Sequence, residues 1–166
     1  ALKEAKKHGA KSLAVTNSIG SSIAREADHV VYTLAGPEIA VASTKAYTTQ
    51  LVALLMLALY MAQLRGTISM DLIHKITDGL KDLPKQIEKV LKEKDHMAEV
   101  ADRLIKAHDI FYLGRSIDYA IAMEGALKLK EVSYIHAESY AAGELKHGTL
   151  ALITADTPVI AVATQD

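Results

Sequence analysis

The stretch from Glu124 to Gly148 contains the residues of this sequence that are best suited to chemistry. Glu124 and Lys128 are four residues apart, and Lys128 and Glu131 are three apart. A helix with about 3.6 residues per turn places these three side chains on one face. A second polar cluster, which includes His147, follows further along. A carboxylate, an ammonium and an imidazole that converge would suit proton transfer next to a carbonyl group.

The same residue types are also common on ordinary helix surfaces. A Glu–Lys pair at this spacing stabilises an exposed helix by about 0.2–0.5 kcal/mol without any catalytic role. A single histidine such as His147 is more often a surface residue than a catalyst, and structural ion pairs resemble active sites. Spacing alone therefore favours the structural interpretation and leaves the catalytic one open.

Composition limits the classes of function. The chain has 166 residues, half of them hydrophobic, which is enough for a folded core. A formal charge of −1 and a pI near 6.7 argue against a nucleic-acid-binding protein. There is no cysteine, and the seven histidines lack the paired spacing of metal ligands, so we predict no metal site and no cofactor. No signal peptide opens the sequence, which indicates a cytoplasmic location and no membrane partner.

Short apolar strands alternate with helical segments along the chain. This pattern indicates an α/β protein with a parallel sheet. The predicted strands are residues 12–16, 29–33, 109–113 and 158–163. The turn at residues 114–116 resembles a phosphate-binding loop, but its one glycine fits a tight connection between a strand and a helix equally well.

A long helix is predicted to begin near Ser43 or Thr44 and to end near Arg65. The hydroxyls and free backbone N–H groups at its start suit a polar or anionic ligand. The alternative is that Ser43 is only the N-cap, which contributes about 1 kcal/mol. The run Leu51–Ala62 is apolar throughout and shorter than the ~20 residues that span a bilayer. We expect it to be buried on every side, between layers or against a second subunit.

The segment 67–107 carries apolar residues at spacings of three and four, with charged residues between them, which predicts helices. Pro84 should break or kink this run near Asp82, because proline lacks the N–H group that a helix needs. A turn at residues 92–95 should lead into a last helix at residues 97–106. We interpret the whole segment as a connector between two α/β halves.

Two strings of residues are similar to the isomerase half of the glutamine–fructose-6-phosphate aminotransferase (glucosamine-6-phosphate synthase) family. They are GPEIAVASTKAYTTQ, from Gly36, and EGALKLKEVSYIHAESYAAGELKHG, from Glu124. The resemblance implies parallel-sheet sugar isomerase (SIS) halves of flavodoxin-like, three-layer fold, joined by a helical connector and truncated at both ends. The implied parts are the rear of a first sugar isomerase domain, the connector, and the front of a second, at residues 1–66, 67–106 and 107–166.

The resemblance also implies roles for five residues. Glu131 would move the proton between C1 and C2 of the sugar, and Lys128 would help to position and bind that sugar. His147 would assist ring opening from the neighbouring subunit of a homodimer or larger homo-oligomer. Val41 and Ser43 would contact the sugar. A glutamate can act as such a base near neutral pH if partial burial raises its pKa.

The family makes glucosamine 6-phosphate from fructose 6-phosphate and ammonia that its glutaminase domain releases from glutamine. The family's phosphate loop and its Schiff-base lysine would lie outside this chain, so we expect the isolated chain to be inactive. Thr149 stands where the family has proline, which should loosen the loop that carries His147. The alternatives are a sugar-phosphate-sensing regulatory domain and a related sugar-phosphate deglycase or isomerase.

Overall fold

The computed structural model describes residues 1–164, and it divides the chain into two compact units, Ala1–Glu88 and Lys89–Asp166. Each unit carries its own parallel sheet. The predicted α/β class with parallel strands is therefore confirmed. The domain boundaries suggested by the sequence, near Gly66 and Lys106, stay a proposal.

The first unit is built around a pair of short parallel strands. Its elements are α1 (Leu2–Lys7), β1 (Leu13–Thr16), α2 (Ser22–Glu26), β2 (His29–Tyr32), α3 (Lys45–Arg65) and most of α4 (Met70–Leu91). β1 and β2 pair in register from Leu13 opposite His29 to Thr16 opposite Tyr32. An irregular segment of residues 33–44 connects the carboxyl end of β2 to α3.

The apolar helix α3 is largely exposed in the single chain, so Leu51–Ala62 is not buried between layers of this chain, and its burial against a second subunit stays a prediction. Of the apolar side chains in that run, Leu59 is buried, while Leu54, Met56 and Tyr60 are exposed. The physical reason is that the sheet of this unit has two strands and covers only part of the helix. An apolar cavity of about 450 Å³ lies between α3 and β2.

Helix α3 also bears on the question of a membrane. Among the described residues, it is the one helix that is long and apolar enough to cross a bilayer. This criterion uses length and composition only, and the core helices of soluble proteins meet it as well. It is weak evidence for a membrane span.

Helix α4 runs without interruption through Pro84, so of the predicted break or kink the break is wrong, and the kink stays a prediction. Proline removes one backbone hydrogen bond from a helix. Apolar residues continue at helical spacing on both sides of Pro84, and keeping that face favours one continuous helix. The next helix, α5 (Lys94–Leu104), begins three residues earlier than the sequence suggested.

The second unit contains a three-stranded parallel sheet in the order β4-β3-β5. Its elements after α5 are β3 (Asp109–Gly114), α6 (Ile117–Ser133), β4 (His136–Ala141), two 3-10 helices (Leu145–His147 and Thr149–Leu152) and β5 (Val159–Ala161). The core lies where α6 packs on β3 and β4. It is formed by Ile110, Phe111, Ala122, Ala126 and Ala137.

Candidate functional site

Helix α6 brings Glu124, Lys128 and Glu131 into direct contact. Lys128 Nζ lies 2.5 Å from Glu131 Oε2 and 3.6 Å from Glu124 Oε1. The three side chains are 22% to 28% exposed, so each is partly buried and still accessible to solvent. The helix-face arrangement expected from the spacing is present, and it places one ammonium between two carboxylates.

The two carboxylates hold Lys128 in its charged form. The hydrogen bond to Glu131 and the negative charges of Glu131 and Glu124 raise the pKa of Lys128, against a smaller opposing effect of burial. An ammonium group has no lone pair with which to accept a proton. Within this cluster, the groups able to take a proton at neutral pH are therefore the carboxylates.

A tight turn sets the position of α6 on the sheet. A Cβ atom added to Gly114 would lie 2.3 Å from the carbonyl oxygen of Asp118, so the turn closes directly onto the first turn of the helix. The buried carboxylate of Asp118 accepts hydrogen bonds from the hydroxyl and the N–H of Thr164, at 2.5 and 3.0 Å. These bonds tie the start of α6 to the segment after β5. The turn at residues 114–116 is thus a tight connection between β3 and α6. The carboxylate of Asp118 already occupies the first turn of α6.

His147 ends the first 3-10 helix and is exposed. Its backbone N–H donates to the carbonyl of Glu144 at 3.0 Å. Its imidazole has no hydrogen bond or ion pair with any of residues 1–164. The structure therefore does not join His147 to Lys128 or Glu131 within the described part of this chain.

Two side chains of strand β4 form a hydrogen bond shortly before His147 in the sequence. The Tyr140 hydroxyl donates to Glu138 Oε2 at 2.6 Å, and this bond raises the pKa of Tyr140. A hydrogen bond with Thr149 acts in the opposite direction on that pKa. The predicted loosening of the loop by Thr149 stays a prediction.

In the first unit, Val41 and Ser43 lie in the irregular segment before α3. Val41 is 94% exposed, and Ser43 is half-buried. The N-cap of α3 is Thr44 rather than Ser43. Glu38 Oε1 accepts from the N–H of Thr44 at 2.9 Å, and its Oε2 accepts from the N–H of Ala46 at 3.2 Å. Two N–H groups at the start of α3, those of Thr44 and Ala46, are therefore not free for an anionic ligand, because the carboxylate of Glu38 already accepts from them.

Comparison with known proteins identifies the family. Residues 1–60 and 103–166 match the SIS domain.

The chain belongs to the SIS domain family.

Among its relatives, this SIS chain is 57% identical over 166 residues to the glutamine–fructose-6-phosphate aminotransferase [isomerizing] of Caldanaerobacter subterraneus subsp. tengcongensis, and 58% identical over 165 residues to that of Clostridium acetobutylicum. The matches cover 100% and 99% of this chain and 27% of either relative, so the chain spans about a quarter of their length. The C-terminal domain of glucosamine-fructose-6-phosphate aminotransferase from Francisella tularensis has a similar structure. It superposes with a TM-score of 0.96 at 43% identity, over 99% of this chain and 47% of that one.

Sequence reasoning missed several residues that shape this SIS chain's candidate site. Glu38 and Asp118 are capping or tethering carboxylates whose partners lie elsewhere in the sequence. Gly125 lies inside α6, where a Cβ atom would come within 2.9 Å of the Tyr112 ring, so it permits close packing of the helix on β3. The signal in the sequence was a glycine inside a helical pattern. Glycine destabilises a helix interior, so its presence there indicates that close packing requires it.

Ser116 holds a backbone conformation that favours glycine, with φ 55° and ψ −124°. We expect Ser116→Gly to raise the free energy of unfolding of the SIS chain by about 1 kcal/mol, because the strain of a side chain there is removed. Urea denaturation measures this change. Ser133→Gly, in the helical last turn of α6, should instead lower stability, because glycine disfavours a helix and the change removes the hydrogen bonds of the Ser133 hydroxyl with Leu129 and Ile135. Equal or lower stability for Ser116→Gly would contradict the assignment of strain.

Proposed function

We propose that this chain is part of the isomerase region of a glutamine–fructose-6-phosphate aminotransferase and that it binds and isomerises a sugar phosphate. The observation that carries the proposal is the contact of Lys128 with Glu131 at 2.5 Å, beside Glu124, on a helix of the SIS fold. The identity of 57% to an aminotransferase over the whole chain supports the choice of reaction.

Glu131 is the proposed base. In the imine formed at C2 from fructose 6-phosphate and ammonia, it takes a proton from C1 and delivers it to C2. The C1 hydroxyl loses its proton and the imine nitrogen gains one, which leaves an aldehyde at C1 and an amine at C2. A positioned base of this kind typically contributes about 10²–10⁴-fold to the rate. The charged Lys128 orients the carboxylate of Glu131 and can stabilise negative charge that develops on a substrate oxygen.

The remaining proposed roles follow from the resemblance. His147 assists ring opening in the neighbouring subunit, and its imidazole, which is exposed and makes no bond with residues 1–164, is compatible with that role. Val41 and Ser43 contact the sugar from the exposed segment before α3.

We also propose that the protein is a cytoplasmic homodimer or larger homo-oligomer, with a glutaminase domain elsewhere in a longer chain. The exposed apolar side chains of α3 support an assembly, because an extended apolar surface is usually covered by a partner. The mixed-dimer experiment in the Discussion tests the subunit arrangement.

Two other functions use the same fold. A regulatory domain would bind the sugar phosphate without turning it over, and a deglycase or isomerase would act on another sugar phosphate. The cluster of Lys128 with two carboxylates favours catalysis, because binding a sugar does not require a base within reach of an ammonium. Turnover of fructose 6-phosphate separates these functions from the proposed one.

The full-length protein should convert fructose 6-phosphate and glutamine into glucosamine 6-phosphate, and the isolated 166-residue chain should not. The chain corresponds to 27% of its relatives, and the proposed phosphate contacts, which are strong charge-assisted bonds, lie outside it. Calorimetry should therefore show binding of glucosamine 6-phosphate to the isolated chain that is weaker than micromolar. Micromolar affinity, or turnover by the isolated chain, would contradict the proposal that the site needs other parts of the protein.

A further inference from the structure

We propose that Glu38 is a positioning residue, which fixes the substrate-contacting segment Val41–Ser43 by closing a loop onto the start of α3. The proposal rests on the function proposed above. Glu38 is not expected to touch the sugar; it acts through the backbone that presents Val41 and Ser43.

Three hydrogen bonds close the loop. Glu38 Oε1 accepts from the N–H and the hydroxyl of Thr44, at 2.9 and 3.2 Å, and Oε2 accepts from the N–H of Ala46 at 3.2 Å. Thr44, the N-cap residue of α3, makes no capping bond with its own side chain. A single carboxylate therefore caps the helix from six residues upstream of the cap.

The loop between these contacts has little else to hold it. It forms neither helix nor strand, and Ile39 and Val41 are 95% and 94% exposed. Ala42 is the buried exception, at 8% exposed, and it anchors the middle of the loop. Because exposed residues precede this one small anchor and a half-buried serine follows it, the conformation of Val41 and Ser43 depends on the bonds of Glu38.

The start of the same segment is fixed separately. Asn17, directly after β1, accepts from the N–H of Ala35 at 2.8 Å and donates to the carbonyl of Gly36 at 2.7 Å. This attachment leaves Gly36 in place when Glu38 is changed. Loss of the Glu38 bonds would thus release the second half of the segment and not the whole connection.

Charge also makes Glu38 suited to this role. Hydrogen bonds from the backbone of Thr44 and Ala46 lower the pKa of Glu38, so it remains a carboxylate at neutral pH. A carboxylate at the N-terminus of α3 complements the helix dipole. The negative charge of Glu38 also repels a phosphate group. The segment Val41–Ser43 therefore suits the uncharged, hydroxyl-bearing part of a sugar phosphate.

The test uses the full-length protein, with fructose 6-phosphate and glutamine as substrates. Glu38→Ala should raise the KM for fructose 6-phosphate about tenfold or more and change kcat much less, because it weakens contacts that Val41 and Ser43 make with bound substrate in both ground and transition states. Glu38→Gln keeps an oxygen for Thr44 but cannot accept from Ala46, so its KM should fall between those of Glu38→Ala and the wild type. Glu4→Gln, an exposed glutamate on α1 in the same unit, should leave the KM unchanged.

Two further measurements separate positioning from a general loss of stability and from failure of the proposed function. Leu59→Ala should lower the melting temperature without a comparable rise in KM, because Leu59 lies in the core of the unit. Hydrogen exchange at the amides of Thr44 and Ala46 should quicken in Glu38→Ala whether or not the protein uses fructose 6-phosphate. If the wild type is active and Glu38→Ala keeps its KM within about twofold, the positioning role is overturned. If the wild type is inactive, the proposed function fails, and unchanged exchange at these amides would overturn the loop closure as well.

Discussion

Glu131→Gln in the full-length protein is expected to lower the formation of glucosamine 6-phosphate by about 10²–10⁴-fold, while glutamine hydrolysis persists. The substitution keeps the shape of the side chain and removes its capacity to accept a proton. Lys128 cannot replace it, because an ammonium group has no lone pair and the remaining carboxylate of Glu124 still favours the charged form of Lys128. The loss should appear in kcat more than in KM, as expected for an interaction made in the transition state.

The matched control is Glu99→Gln. Glu99 also forms a contact with a basic residue three positions away, His96, but on the exposed helix α5 of the same unit. This substitution should leave turnover unchanged. Near-normal turnover in Glu131→Gln would show that Glu131 is a helix-face carboxylate like Glu99, and it would favour the sensing function over the catalytic one.

The elements that sequence reasoning predicted well are those that local patterns determine. The spacing of Glu124, Lys128 and Glu131 fixes their common face as soon as α6 is a helix. Strands β1, β2, β3 and β5 are short apolar runs separated by helices, and a parallel sheet follows from that alternation. Contacts within one or two turns of a helix can be predicted without knowledge of the rest of the fold.

The features that were missed depend on contacts that no local sequence pattern specifies. Strand β4 places His136, Glu138 and Tyr140 on one face and small residues on the other, so its apolar signal is weak, and pairing with β3 decides its conformation. The capping of α3 by Glu38 and the binding of Thr164 by Asp118 join residues that the sequence does not place side by side. Burial of Leu51–Ala62 was predicted from composition, but exposure depends on which elements cover a helix.

The position of His147 is the feature that a single chain leaves open. It lies sixteen residues after Glu131, on an exposed 3-10 helix followed by Gly148, whose φ of 152° few other residues adopt. Within residues 1–164 its imidazole has no bonding partner. A residue placed in this way can serve the active site of its own chain or that of a neighbouring subunit.

We expect His147 to serve the neighbouring subunit, and a mixed dimer of the full-length protein tests this. One chain carries Glu131→Gln and the other carries His147→Ala. If the sites are shared, one of the two sites in the mixed dimer receives both wild-type residues, so activity should return to about half that of the wild-type dimer. Each mutant homodimer should be nearly inactive, because every one of its sites has a defect.

The control is a mixed dimer of Glu131→Gln with Lys128→Ala. Both of these changes lie on α6, so every site keeps one defect, and activity should not return under either arrangement. If His147 acts within its own chain, the dimer of Glu131→Gln with His147→Ala should behave like this control. Absence of recovery, once formation of the mixed dimer has been verified, would therefore rule out the cross-subunit role and assign His147 to its own chain.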